Sequence, residues 1–357
     1  MTTDNFASQL ADPNEQFIQP SNYCAHAIED LRERANTLRV TGYVGFAQGL
    51  EAVIDLLTVA VKFMLPNRAE LLDRDGMGDT HLELLRLPFQ VVAFEAPWIT
   101  DVISEMNGYE LSTSTRRIAL CWELKDGFEP FEGCNRVLDE NPEGGVFVLP
   151  VYYVDKERGW SVAAGGTFIP REFRVSEDFV SPEWAQLAES AVRQAGPVPK
   201  TPYRFLSTTF LALPEMFQAM LASARGDLTR ATAQLQLDSR DEVMMVTQAC
   251  CVLNCANVET RDFLPNPRLN AARLAKGKQP FFTYKVLQLE DTTPAKSVSA
   301  GGTHAAPRAH LRRGHIRHLA SGRDVWVRNT LVNAGTSAGV VVKDYRLSPP
   351  DDGKAPL

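Results

Sequence analysis

Four short apolar runs, rich in β-branched and aromatic residues, follow one another between residues 87 and 169. Their spacing limits the folds open to this chain. The runs LPFQVVAFEA, RRIALCWEL, GVFVLPVYYVD and WSVAAGGTFI are bounded by Gly, Pro, Asn and Asp, the punctuation of strands. The intervals between them are too short or too irregular for regular βαβ crossovers, so they predict a mainly antiparallel sheet.

Helical periodicity brackets these strands. CAHAIEDLRERANTL sets Ala27, Leu31, Ala35 and Leu38 on one face with charges opposite. FAQGLEAVIDLLTVAVKFML repeats the pattern through Leu50, Val53, Ile54, Leu57 and Val61, and Pro66-Asn67 stops it. Two more helices are expected around PEMFQAMLASA and DEVMMVTQACCVLNCANV, with Pro265 and Pro267 breaking the chain after them. The fold class expected is α+β: a mainly antiparallel sheet with flanking helices, forming an acidic body over residues 1–290.

Composition changes beyond that point. DTTPAKSVSAGGTHAAPRA is rich in small residues, Gly and Pro, and reads as a flexible linker over 291–307. HIRHL, DVWVR and GVVVKDYRL then predict a small tethered β module over 308–347, with a hairpin turn at Ser321-Gly322 and a disordered tail over 348–357. Four of the six histidines lie between His304 and His318, interleaved with Arg308, Arg312, Arg313 and Arg317. From Ala300 to Leu347 eight Lys/Arg stand against two Asp, a net of +6. The whole chain carries −7, so the remainder carries −13.

A positive patch on an acidic protein points to a polyanion or an acidic partner surface. The arginine fork binds phosphate bidentately, and imidazole adds stacking and a charge tunable near neutral pH. In a strand His315 and Arg317 share one face, Ile316 and His318 the other. Trp326 and Arg328 also share a face, suited to stacking a base or packing an apolar neighbour. The partner expected is RNA or an acidic protein or ribonucleoprotein surface. Three alternatives stay open: RNA cleavage with histidines as general acid and base, a solvated basic edge whose arginines pair with carboxylates of the body, and a structural or interaction role in which the module merely docks on the body.

Other chemistries find less support. His315-x-x-His318 brings two imidazoles together, but structural zinc wants four ligands and the arginines repel a cation. No metal and no cofactor is expected. The most apolar long segment, AVIDLLTVAVKFML, is interrupted by Asp55 and Lys62 and is too short to span a bilayer. The polar, acidic beginning of the chain lacks the order of a secretory signal. Cys250, Cys251 and Cys255 sit in apolar surroundings as buried thiols, which fits a reducing cytoplasm. The glycine pairs in PEGGVF and AAGGTF read as turns. Glu95, Glu123 and Asp155 fall in or at the ends of expected strands, where solvated or salt-bridged carboxylates are commoner than catalytic ones. His81 reads as a partly buried histidine.

The string His310-Leu311-Arg312-Arg313-Gly314-His315, a later glycine, then Val327-Arg328 and Val332-Asn333 resembles the C-terminal signature of a phage and mobile-element family. That family includes a type V-A anti-CRISPR protein suppressing production of the effector nuclease. The resemblance spans about residues 308–345, with a fainter echo in LRLPFQVVAFEA. It departs from the family pattern at Ala309, where proline is expected, and at Ile316, where an aromatic is expected. The resemblance implies a non-enzymatic inhibitory or regulatory protein of phage or plasmid type. It would bind a transcript, a nascent chain such as that of a CRISPR effector, or a ribosome-associated complex. His310, Arg312, Arg313, Gly314 and His315 carry over as the contact or structural core of the module.

Overall fold

Adjacent residues of the central strands enter opposite cores, which is why these strands read as unbroken apolar runs instead of alternating ones. The computed structural model describes residues 20–72, 84–99, 105–106, 109–110, 114–124, 128–171, 208–289, 310–312, 315–327 and 330–332. Strands β1 (Val61–Met64), β2 (Val91–Pro97), β5 (Arg116–Trp122), β6 (Gly145–Val154), β7 (Gly159–Val162), β8 (Gly165–Pro170), β9 (Thr208–Leu211), β10 (Val258–Phe263) and β11 (Tyr284–Leu289) form one nine-stranded sheet. Its order is β10-β11-β1-β2-β5-β6-β8-β9, with β7 also paired to β6. Two short strands, β3 (Glu105–Met106) and β4 (Tyr109–Glu110), pair separately. Within the large sheet only β1 pairs in parallel, with β2 and with β11; the other pairings are antiparallel, as expected.

One face carries Val91, Ala93, Ile118, Leu120, Trp122, Phe147 and Leu149 under helices α1 (Tyr23–Val40) and α2 (Val44–Val59). There Trp122 stacks on Phe147 with centroids 5.2 Å apart. The opposite face carries Val92, Phe94, Ala119, Cys121, Val146 and Val148. It packs against the apolar stripe Val243, Met245, Val246, Ala249 and Cys250 of a long helix. With α3 (Val137–Glu140) and α4 (Pro214–Ser223) counted before it, this helix is α5 (Leu228–Leu253) and α6 is Pro267–Ala275. At 26 residues, α5 is the longest helix among the described residues.

The second expected helix is too long in the sequence reading. It ends at Val59, and Val61–Met64 turns into β1, buried between two parallel neighbours. Lys62, which interrupts the apolar run, bends back to cap α2: its ammonium donates to the Thr58 carbonyl at 2.9 Å and lies 3.6 Å over the Phe282 ring. WSVAAGGTFI splits into β7 and β8, and the Gly165-Gly166 pair lies inside β8, not in a turn. A Cβ on Gly165 would come 2.0 Å from the Phe210 carbonyl oxygen, and on Gly166 2.0 Å from that of Val148. Close strand approach, not a bend, requires glycine there. Gly144 does sit in a turn, at φ +74°. Pro267 begins α6 instead of breaking the chain. It holds the first helical position behind Asn266, whose side chain accepts from the amides of Arg268 and Leu269.

Glu95 ties the layers together. Its carboxylate accepts from the amides of Tyr23 (2.9 Å) and Cys24 (2.7 Å) and from the Tyr284 hydroxyl (2.6 Å). The local cap position of α1, Asn22, makes no side-chain cap bond. A carboxylate from β2 therefore serves the orphan amides at the start of α1. Burial pushes the Glu95 carboxyl up, against the opposing pull of these hydrogen bonds.

Candidate functional site

The basic module begins with two antiparallel ladders. Strand β12 (His310–Arg312) pairs with β15 (Thr330–Val332), and β13 (His315–His318) pairs with β14 (Asp324–Val327). Arg312 lies opposite Thr330 and His315 opposite Val327, so the two ladders keep one common register. The turn between β13 and β14 falls where the sequence reading puts it. Gly322 takes φ +76°, and the Leu319 and Gly322 amides donate to the carbonyls of Arg323 and Leu319. Positive φ at this position costs glycine little.

The β13–β14 hairpin is docked on the body. Ile316 and Trp326, opposite one another in the ladder, both pack against the α5-side core. The Trp326 indole N–H donates to the Leu71 carbonyl at 3.3 Å. The Asn257 side chain spans the outer edge of β14: its Oδ1 accepts from the Trp326 amide at 2.7 Å and its Nδ2 donates to the Trp326 carbonyl at 2.8 Å. The Ala256 amide donates to the Asp324 carbonyl on the same edge. An amide side chain thus takes the place of a neighbouring strand and closes an edge that would otherwise stay open. Leu71 and Leu72 are gripped from the other side by Gln248 of α5, whose Oε1 accepts from both amides at 3.2 and 3.0 Å.

Of the predicted contact residues, Trp326 takes its packing alternative and is half-buried against the body. Arg317 and His318 are exposed, His318 with 71% of its side chain in solvent and paired to Asp324 within the hairpin. Arg317 has no carboxylate partner among the described residues. His310, Arg312 and His315 are placed in strands by their backbone. Arg313, Gly314 and Arg328, the linker 291–307, the run GVVVKDYRL and the tail 348–357 lie outside the described residues, as does His81. Arg323, which the sequence reading did not single out, is also exposed at the hairpin end. Asn257, Ala256, Gln248 and Leu71 hold the hairpin, and they too went unpredicted. Their contacts join residues 68 (Ala256 to Asp324) to 255 positions apart, and no local pattern signals them.

The carboxylates considered above do not converge. Glu123 accepts from the Leu87 amide and bonds Arg171 at 3.0 Å, while Asp155 accepts from the Thr115 hydroxyl at 2.6 Å. The densest buried charge is elsewhere: Arg117 of β5 reaches Glu242 at 3.1 Å and Asp241 at 3.4 Å on α5. Burial dominates there, pushing the Glu242 carboxyl up to about 7 despite the guanidinium. All six cysteines are buried thiols, none of them in a disulfide. Burial raises the thiols, Cys251 and Cys255 to about 12, so they stay protonated and unreactive. Among the described residues no group of His, Cys, Asp and Glu could hold a metal ion, and no helix is long and apolar enough to cross a membrane. A cavity of about 460 Å³ opens beside β10. It is floored by Phe63, Phe89, Leu253 and Val258, with Arg86 and Glu259 among its polar lining.

The described residues thus combine an α+β body with a hairpin docked on it, on which Arg317 and Arg323 are exposed. The sequence between residues 64 and 334 matches the model of the AcrVA2-like family, anti-CRISPR type V subtype A2, and the chain belongs to that family. The match takes in both the large sheet and the hairpin, well beyond the module that carried the resemblance. No curated protein and no solved structure matches the chain.

Proposed function

We propose that this anti-CRISPR protein uses the basic side of its hairpin to bind an anionic partner in the production of a CRISPR effector. That partner is RNA, or a ribosome-associated complex bearing the nascent effector chain. The supporting observation is the combination of a fixed backbone and an exposed guanidinium, that of Arg317. Asn257 and Trp326 anchor the hairpin, whereas Arg317 stays exposed and without a carboxylate partner among the described residues. Arg312 and His315 continue the same register toward the module's other strands. Immobilising the cations beforehand lowers the ordering cost of binding, so a short hairpin suffices. Phosphate contacts of this kind release counterions and make affinity fall steeply with salt.

The test is affinity capture from bacterial lysate, with and without nuclease treatment, comparing the wild type with Arg312→Ala/Arg313→Ala. The proposal expects ribonucleoprotein partners that the double variant loses. Recovery of the same partners by both proteins would refute the basic module as contact surface. Cleavage of captured RNA, abolished by His315→Ala, would replace binding with histidine-dependent hydrolysis.

A further inference from the structure

The arm formed by β10, α6 and the turn into β11 is folded yet buries almost nothing. Glu259 to Phe263 are all exposed, and α6 contributes no buried residue. Polar contacts hold it in place. The Asn270 side chain accepts from the Phe281 amide at 2.8 Å and donates to its carbonyl at 2.9 Å. Arg273 donates to Glu29 of α1 and to the Gln279 carbonyl, both at 2.7 Å, and its guanidinium lies 3.9 Å over the Phe281 ring. These two anchors fix which side of α6 faces inward. By helical spacing, the opposite side presents Arg268, Ala271, Ala272 and Ala275, flanked by Leu269 and Lys276 on one side and Leu274 on the other.

Two features around that outward side need explaining together. Leu269 and Leu274 are 48% and 60% exposed, and just before the helix Phe263 and Leu264 are 42% and 72% exposed. Residues 264–289 also hold five Lys/Arg and no Asp or Glu; Arg273 pairs with Glu29 and Lys285 with Asp262 of β10, which leaves Arg268, Lys276 and Lys278 facing outward. Single exposed apolar side chains are ordinary, but a group of them on a rigidly held, cationic element marks an interaction surface.

We propose that this arm is a docking surface for an acidic, leucine-bearing segment of a partner protein. Carboxylates of such a segment meet Arg268, Lys276 and Lys278, while its apolar side chains cover Leu269 and Ala272, which lie on the same flank of α6 as Lys276. RNA fits less well. Phosphates would leave the exposed leucines in water, and the guanidinium that stacks on an aromatic ring within this arm, that of Arg273, is committed to Glu29. The surface is separate from the hairpin, which docks at Ala256 and Asn257 before the start of β10. The full length of strand β10 lies between the two.

The experiment uses the full chain and fluorescence anisotropy with a labelled 18-residue peptide, Leu at helical spacing and Glu elsewhere. A Leu-to-Ser version of the peptide and an 18-nucleotide uridine-rich RNA serve as comparators. The Leu/Glu peptide is expected to bind, and to weaken about tenfold or more with Arg268→Glu/Lys276→Glu and likewise with Leu269→Ser. Arg317→Ala should leave this binding unchanged. Leu269 is exposed, so unaltered circular dichroism should accompany its replacement. Three results overturn the proposal: no peptide binding, RNA binding that ignores the leucine variant, or concentration-dependent self-association that Leu269→Ser abolishes while the peptide fails to bind.

Discussion

Replacing Glu242 by glutamine should change how stability depends on pH more than it changes stability itself. Glu242 is fully buried on α5, with Oε1 3.1 Å from Arg117 and Oε2 unbonded. Its carboxyl is pushed from 4.5 up to about 7, with burial the largest cause. A raised folded-state pKa means the native protein holds this proton more tightly than the unfolded chain does. The stabilisation is therefore complete below about pH 4.5 and is lost as pH rises to about 7. That difference between folded and unfolded chain corresponds to roughly 3 kcal/mol. Glutamine does not titrate, so Glu242→Gln should gain about 3 kcal/mol relative to the wild type between about pH 4.5 and pH 7.5. Urea denaturation of both proteins across that window measures the double difference, in which other titrating groups largely cancel. Parallel curves, agreeing within about 0.5 kcal/mol, would show that Arg117 fully compensates the burial and that the carboxylate is ionised throughout.

Asn257→Ala removes both bonds to the Trp326 main chain. It should loosen the hairpin by roughly 2 kcal/mol while the sheet stays intact. Faster amide exchange confined to residues 315–327 would report this. Glu95→Gln puts an N–H donor where the amides at the start of α1 or the Tyr284 hydroxyl need an acceptor. Chemical denaturation should show a loss of roughly 2 kcal/mol. Gly166→Ala forces a methyl group against the Val148 carbonyl, which should cost about 3 kcal/mol. Gly226 has open space around it but a φ of +82°. Its replacement by alanine should cost only about 1 kcal/mol. Equal thermal shifts for the two glycines would contradict the close-approach explanation.

The strands β2, β5 and β6 were legible because both faces of the sheet are covered, leaving long apolar runs with clear boundaries. Parallel pairing was not. The segment Val61–Met64 continues the apolar pattern of α2 without a Gly or Pro, and only its burial between β2 and β11 makes it a strand. α5 was placed too short because residues 228–240, LTRATAQLQLDSR, alternate as readily as they repeat every third or fourth residue. That half of the helix also buries Gln236 and Ser239, which polarity would assign to a surface. α6 was hidden by its prolines and by having no buried face at all. At the site, the charge run announced a basic hairpin and the Ser321-Gly322 turn its tip. The docking contacts were invisible because Asn257 acts through main-chain atoms 69 positions away.

That docking alters what the histidines and arginines can do. A hairpin hanging from a linker would bring its cations to a ligand with their relative positions unfixed, and binding would have to order them. Here the restraint passes inward in three steps. Gln248 on α5 holds the Leu71 and Leu72 amides, the Leu71 carbonyl receives the Trp326 indole, and Trp326 sits opposite Ile316 in the ladder. Arg317 and His318 follow Ile316 directly, so a helix buried against the central sheet sets the position of the exposed charge. A substitution at Gln248 therefore reaches the basic surface without touching it. Gln248→Leu keeps the bulk but takes this acceptor from both buried amides, leaving Leu71 only its bond to the Ala69 carbonyl; it should weaken the proposed ligand capture as well as stability. Gln248→Leu protein that is destabilised yet captures partners as well as the wild type at a temperature where it is folded would show that the loop at Leu71 transmits nothing to the surface.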